Sequence, residues 1–199
     1  MNDYGQKGYE VIMNTPNKLT LLRVILIPVY MILYLACGTF GLYLAILTFL
    51  LATLTDQLDG HLARKNNQIT TFGKLMDPLA DKMLIMAALI SFVAKNVPYI
   101  TAGVVMVILA RELIVTGVRL LAMGENKVIA ASMWGKAKTV SQFILVLAVM
   151  VFEAVIAHWP AAAVYCEPAI LVMAIAAVGL TVYSGFDYIW KNRSMITFK

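Results

Sequence analysis

Long apolar runs follow one another along this chain with breaks of only a few residues, at roughly 20–37, 41–64, 75–95, 98–122, 134–158 and 166–190. Each is close to the ~20 residues that a helix needs to cross a bilayer. Inside lipid, backbone N–H and C=O groups have no water to bond, so a run that is not part of a closed barrel must be helical. Hydrophobic residues make up 61% of the chain and charged residues 14%, where a soluble domain holds about 45–50% and ~25%. The expected fold is an all-α integral membrane protein: six transmembrane helices preceded by a short interfacial amphipathic segment.

The breaks carry turn chemistry. Cys37-Gly38-Thr39-Phe40-Gly41 reads as a tight glycine turn. Asn96-Val97-Pro98 and His158-Trp159-Pro160 read as helix stops. Residues 1–13 are polar, unlike the rest, and read as an N-terminal extension; 14–193 form one membrane domain and 194–199 a C-terminal tail. No cleavable signal pattern precedes Pro16. From Thr15, the segment N-T-P-N-K-L-T-L-L-R reads as a cap, an early proline and a helix that starts amphipathic along the interface.

Basic residues set the orientation. Arg64, Lys65 and Lys74 lie between spans two and three, Arg119, Lys127, Lys136 and Lys138 around the connection of four and five, and Lys191, Arg193 and Lys199 at the end. The opposite connections hold only Lys95, with Glu153 and Glu167 nearby. Both termini are therefore expected in the cytoplasm, with the protein multi-pass in the cell (inner) membrane. The net charge of +5 suits anionic headgroups. No basic surface interleaved with aromatics suggests nucleic acid. Cys37 and Cys166 are read as unpaired apolar cysteines, although both are placed on the outer side.

Four aspartates stand at the cytoplasmic edges of spans two and three, in T-D-Q-L-D-G-H-L-A-R and G-K-L-M-D-P-L-A-D. A carboxylate at a membrane edge is costly unless paired, so its default reading is functional. On a helix, Asp56 and Asp59 share a face, with Gly60 and Ala63 near it and Arg64 at its edge. Gly60 and Ala63 let a flat group approach the backbone, and Arg64 has the fork to meet a phosphate. On the next helix Gly73, Asp77 and Asp81 stack along one face, and Pro78 suits only an early turn. Two such helices facing each other would gather four carboxylates. Hard divalent cations, Mg²⁺ or Mn²⁺, relieve their repulsion, and two ions suit four carboxylates. The plainer reading is that the aspartates are caps or ion-pair partners of Arg64, Lys74 and Lys82. Two matched pairs with glycines on the same faces favour metal. A transporter holding a coupling cation would show inverted repeats and broken midplane helices, and neither is visible.

The pattern D-x-x-D-G-x-x-A-R, then G-x-x-x-D-x-x-x-D, resembles the signature of the CDP-alcohol phosphotransferase family. It is matched at Asp56, Asp59, Gly60, Ala63, Arg64, Gly73, Asp77 and Asp81. The resemblance implies a membrane homodimer of six-helix protomers with the active site open to the cytoplasm. It implies two divalent metals and transfer of a substituted phosphate from a CDP-linked donor to an alcohol, with release of CMP. By position, Asp56, Asp59 and Asp77 would be the principal metal ligands. Asp81 would bind metal and act as catalytic general base. Asp59, Gly60, Ala63, Arg64 and Gly73 would line the donor site, with Gly60 and Ala63 on the cytidine.

Three further segments, N-T-P-N-K-L-T-L-L-R, A-R-E-L-I-V-T-G-V-R-L-L-A and G-K-A-K-T, resemble members of that family that join CDP-diacylglycerol to sn-glycerol 3-phosphate. This likeness covers most of 14–193. A dianionic acceptor needs cations, and Arg111, Arg119, Lys136 and Lys138 can supply them. Arg111 follows fifteen uncharged residues; Glu112 is its neighbour, but adjacent helix residues do not face each other, which favours a role in binding. Lys136 and Lys138 are two apart and should not both point inward, so one is expected in the connection before the helix. Thr20 and Arg23 share a face and either reach the donor phosphates or anchor at the interface. Tyr183 and Asp187 stand where span six could close the site. Serine, inositol phosphate or phosphatidylglycerol remain alternative acceptors.

Overall fold

A computed structural model describes the chain path over 15–65, 71–124 and 132–193, and the side chains over 21–55, 82–119, 122 and 132–193. Six α-helices and one 3-10 turn account for nearly all of it: α1 Thr15–Ala36, α2 Gly38–Lys65, α3 Thr71–Ala94, α4 Ala102–Gly124, α5 Met133–His158, a 3-10 turn Pro160–Ala162, and α6 Ala163–Lys191. No strand occurs among the described residues. The chain divides into two compact units, Met1–Ser91 and Phe92–Lys199.

In the first unit α1 and α2 lie against each other. The turn between them is shorter than the five-residue glycine turn expected, because α2 already begins at Gly38. Gly38 takes φ +58°, a conformation in which a side chain would be strained. Gly41 donates to Cys37 O at 3.0 Å, and a Cβ on it would stand 2.3 Å from Leu33 O. The two glycines thus do different jobs, one reversing the chain and one letting α2 pass close to α1. Tyr30 stacks on Tyr34 with centroids 5.9 Å apart and meets Phe49 at the same distance. Ala45 and Ala52 are fully buried on the α2 side. Lipid tails are as apolar as these rings, so the pair is held by close contact and not by exclusion of water. The segment expected to lie along the interface is continuous with span one as a single helix, α1.

The second unit is built on α6, which α4 and α5 both contact. The chain leaves α3 through a left-handed Asn96 at φ 56°, with Asn96 N–H on Val93 O and Val97 N–H on Phe92 O, both at 3.0 Å. This is a Schellman stop, and it satisfies carbonyls that the helix end would otherwise leave open. Ser132 caps α5, its Oγ accepting from Gly135 N–H at 3.0 Å. The core holds Leu145, Val146, Val149, Met150, Ile170, Ala174 and Ala177.

Large apolar side chains such as Ile32, Met106, Leu113, Val172 and Phe186 are exposed on these helices. On a soluble surface such faces would associate; on a membrane protein they meet lipid. Hydroxyls on the helices bond back to their own backbone, as Thr48 does to Leu44 O and Ser91 to Ala87 O, both at 2.7 Å. The chain is an all-α membrane protein. Among the described residues, three stretches are long and apolar enough to cross a bilayer: Gly38–Thr55, Met133–His158 and Pro160–Lys191. The apolar stretches Leu21–Ala36 and Lys82–Ala94 are shorter. Helix α4 carries Arg111, Glu112 and Arg119 within its length. Among the described residues six helices thus stand where six spans were expected, and three of them are long and apolar enough to cross a bilayer.

Candidate functional site

The acidic motif falls on the two helices expected to carry it. Asp56, Asp59, Gly60, Ala63 and Arg64 occupy the last turns of α2, and Gly73, Asp77 and Asp81 the first turns of α3. The backbone is helical through both stretches, so the spacings of three and four do place each set along one helix face. The side chains of these residues, and that of Thr20 on α1, lie outside the described ones, as does the connector 66–70. One expectation is corrected. Helix α3 begins at Thr71, earlier than expected, so Pro78 sits beyond its first turn. A proline there removes one helical hydrogen bond, which membrane helices tolerate when the freed carbonyl finds another partner. Arg23 is 1% exposed on α1, which does not fit an anchor at the lipid–water interface. Among the described residues no three His, Cys, Asp or Glu side chains gather as a metal group.

In the second unit the side chains of Arg111, Arg119, Lys136 and Lys138 are among the described ones. Arg111 donates from Nη1 to Glu112 Oε1 at 3.0 Å, and Lys138 Nζ bonds the same oxygen from α5. The three side chains are 11%, 6% and 5% exposed. The expectation that Arg111 and Glu112 would not face each other is thus overturned. Helix geometry sets the direction of Cβ, but an arginine is long enough to fold its head back to a neighbour. A second expectation is also corrected: Lys136 and Lys138 both lie on α5, which starts at Met133, and neither is in the connection. Lys138 is buried and Lys136 exposed, as a separation of two on a helix requires.

Glycines shape the ground around Arg111. A Cβ on Gly185 of α6 would stand 2.9 Å from Arg111 Cγ, and a Cβ on Gly135 of α5 would stand 4.0 Å from Nη2. Arg111 therefore runs between α4 and α6 with its head near the first turn of α5. Its Nε is buried and has no hydrogen-bond partner among the described residues, and the same holds for Nε of Arg119. Two part-buried arginines whose Nε–H donors are buried and open suit an anion, since an unmet buried donor is costly. Glu112 was weighed from sequence only as a neighbour that could pair with Arg111, and Gly185 and Gly135 were not singled out. A lone acid inside an apolar helix was the available signal for the first; the glycines reveal themselves only through packing.

Tyr183 and Asp187 have structural partners. Tyr183 meets Trp134 edge-on at a centroid distance of 4.8 Å, and Asp187 pairs with Lys191 at 2.7 Å, one turn on. Cys37 is exposed and Cys166 buried, and both are free.

Residues 13–183 match the family model of the CDP-alcohol phosphatidyltransferases. A Bacillus subtilis protein named CDP-diacylglycerol–glycerol-3-phosphate 3-phosphatidyltransferase is 42% identical over 195 residues, covering 90% of this chain and 95% of its own length. Proteins of the same name from Haemophilus influenzae and Escherichia coli K12 are 38% and 36% identical over 133 residues. Each of these alignments covers 66% of this chain, and 72% and 73% of the respective relative.

Proposed function

This chain belongs to the CDP-alcohol phosphatidyltransferase family, and we propose that it transfers the phosphatidyl group of CDP-diacylglycerol to sn-glycerol 3-phosphate, giving phosphatidylglycerophosphate and CMP. A hydroxyl oxygen of the acceptor bonds to the phosphorus that bears the diacylglycerol, and the bond from that phosphorus to the bridging oxygen of CMP breaks. The observation that carries this reading is the near full-length likeness to a relative named for that reaction.

The residue roles follow from chemistry and position. Asp56, Asp59, Asp77 and Asp81 on consecutive helices form an all-oxygen donor set that fits Mg²⁺ or Mn²⁺. Two such cations would supply neutralisation of the charge developing on the transferred phosphate. Asp81 takes the proton from the acceptor hydroxyl. Gly60 and Ala63 leave the α2 face bare for the cytosine and ribose, and Arg64 meets a donor phosphate, with Asp59 and Gly73 beside them and Thr20 and Arg23 from α1. Arg111, Arg119 and Lys138 hold the acceptor phosphate, and exposed Lys136 adds charge at longer range. The working form is a homodimer in the cell (inner) membrane, with the termini and the site on the cytoplasmic side; 14–193 is the catalytic domain.

The test is CMP release by purified protein in mixed micelles of detergent and CDP-diacylglycerol with Mg²⁺. Glycerol 3-phosphate, serine, inositol phosphate and phosphatidylglycerol are offered in parallel. Product with glycerol 3-phosphate is expected. Product only with another of the four overturns the acceptor while leaving the family intact.

A further inference from the structure

We propose that Glu112 is a positioning residue, holding Arg111 and Lys138 so that the Nε edge of Arg111 is turned to the acceptor's phosphate; this rests on the acceptor reading above. Adjacent residues on a helix project about 100° apart, so Arg111 reaches Glu112 only with its head folded back. Two neighbours stabilise that conformation. Lys138 brings a second cation to the same Oε1, so one oxygen ties α4 to α5. Gly185 leaves the space that the Arg111 stem fills, since a Cβ there would approach Cγ to 2.9 Å and Nε to 3.7 Å. The stem is thereby confined on one side by α6 while its Nη1 is tied to Glu112.

The consequence lies in which donors remain. With Nη1 engaged, the open edge of the guanidinium is the one formed by Nε and Nη2. These two N–H groups point the same way and are the pair that grips a phosphate with parallel hydrogen bonds. Nε is buried and without a partner among the described residues, and Nη2 lies by the first turn of α5. A helix N-terminus repels a cation and favours an anion beside it. An oxyanion at the Nε–Nη2 edge therefore answers both the open donors and the helix end. Glu112 also keeps the buried pair of cations from repelling each other when no acceptor is bound. Its role is to aim the cations, and it does not touch the substrate.

Glu112→Gln preserves shape and removes the charge. In the purified enzyme we expect KM for glycerol 3-phosphate to rise ~10- to 100-fold, the effect of misplacing a binding group by about an ångström. KM for CDP-diacylglycerol, and kcat at saturating acceptor, should stay within about threefold. Glu112→Asp should recover part of the loss. Equal rises in both KM values, or a fall in kcat alone, overturn the proposal. Gly185→Ala displaces the Arg111 stem with Glu112 intact and should reproduce the acceptor-selective rise. Should Glu112→Gln not fold, an unchanged acceptor KM in Gly185→Ala decides against the idea. Calorimetric binding of inorganic phosphate to wild type and Glu112→Gln separates this proposal from the choice of acceptor. Weaker phosphate binding in the variant supports positioning even when glycerol 3-phosphate gives no product, and equal binding overturns it.

Discussion

Gln142 on α5 donates from Nε2 to Thr181 Oγ1 on α6 at 2.9 Å, and Thr181 in turn donates to Ala177 O at 2.6 Å. Both side chains are buried, and Gln142 lies one turn of α5 beyond Lys138. Leu145, Val149, Ala174 and Ala177, apolar residues of the same two helices, are buried as well. Thr181→Val keeps the shape and leaves the Gln142 amide without this acceptor. We expect a loss of ~1 kcal/mol, near the upper part of the range for such bonds between membrane helices. Gln142→Leu combined with Thr181→Val should recover much of it, because removing both partners leaves no unmet donor. Thermal unfolding of the detergent-solubilised variants measures both. A double variant no better than Thr181→Val would show that the link is not an isolated pair.

Gly41 makes a second, purely steric prediction. Its missing side chain lets α2 start under the last turns of α1, and a Cβ would lie 2.3 Å from Leu33 O. That oxygen is backbone and cannot swing aside. Gly41→Ala must therefore shift α1 against α2 and disturb the Tyr30–Tyr34–Phe49 cluster. A destabilisation of about 1–3 kcal/mol is expected, the usual range for overpacking. Gly38→Ala should also destabilise, but through φ +58° and not through contact, since nothing lies within 4 Å of its Cβ. Unfolding midpoints of the two variants, with the Gly41→Ala midpoint unshifted, would count against this account.

Periodicity and turn residues made the helices legible from sequence, and the two aspartate pairs fall on α2 and α3 as their spacing required. What escaped depended on side-chain reach and packing. The reach of Arg111 back to Glu112 is a matter of side-chain length, on which periodicity is silent. The choice of Lys138 over Lys136 for the interior depends on where α5 begins, and Ser132 sets that point by capping Gly135. Gly185 looked like one more small residue on a membrane helix, and only the passage of Arg111 across it shows why a side chain is missing there. The early start of α3 puts Pro78 inside the helix, where a proline is tolerated in membrane helices when the carbonyl it frees finds another partner.

The two lysines of α5 should behave differently. Lys138 is buried against Glu112, and Lys136 is exposed. Lys136→Ala is expected to change KM for glycerol 3-phosphate by no more than about twofold, as for a surface charge screened by salt. Arg111→Ala and Lys138→Ala should each raise it by ~10-fold or more, since each breaks a buried charge pair and removes a cation. Initial rates against acceptor concentration, at fixed CDP-diacylglycerol, measure all three. A larger effect from Lys136 than from Lys138 would place the acceptor phosphate on the exposed side of α5.

Asp81 is the residue on which the proposed chemistry most depends. It stands on α3, one helical turn beyond Asp77. A carboxylate that takes the acceptor's proton contributes typically 10²- to 10⁴-fold to rate. Asp81→Asn keeps the size and one oxygen but cannot accept that proton. Transfer should fall by ~10²-fold or more, while metal-dependent binding of CDP-diacylglycerol largely survives through Asp56, Asp59 and Asp77. Asp59→Ala should instead weaken that binding itself, because its carboxylate is assigned to metal and donor. EDTA should abolish transfer by wild type, and Mg²⁺ or Mn²⁺ should restore it. Turnover by Asp81→Asn comparable with wild type would remove the base from Asp81 and leave it as a ligand alone.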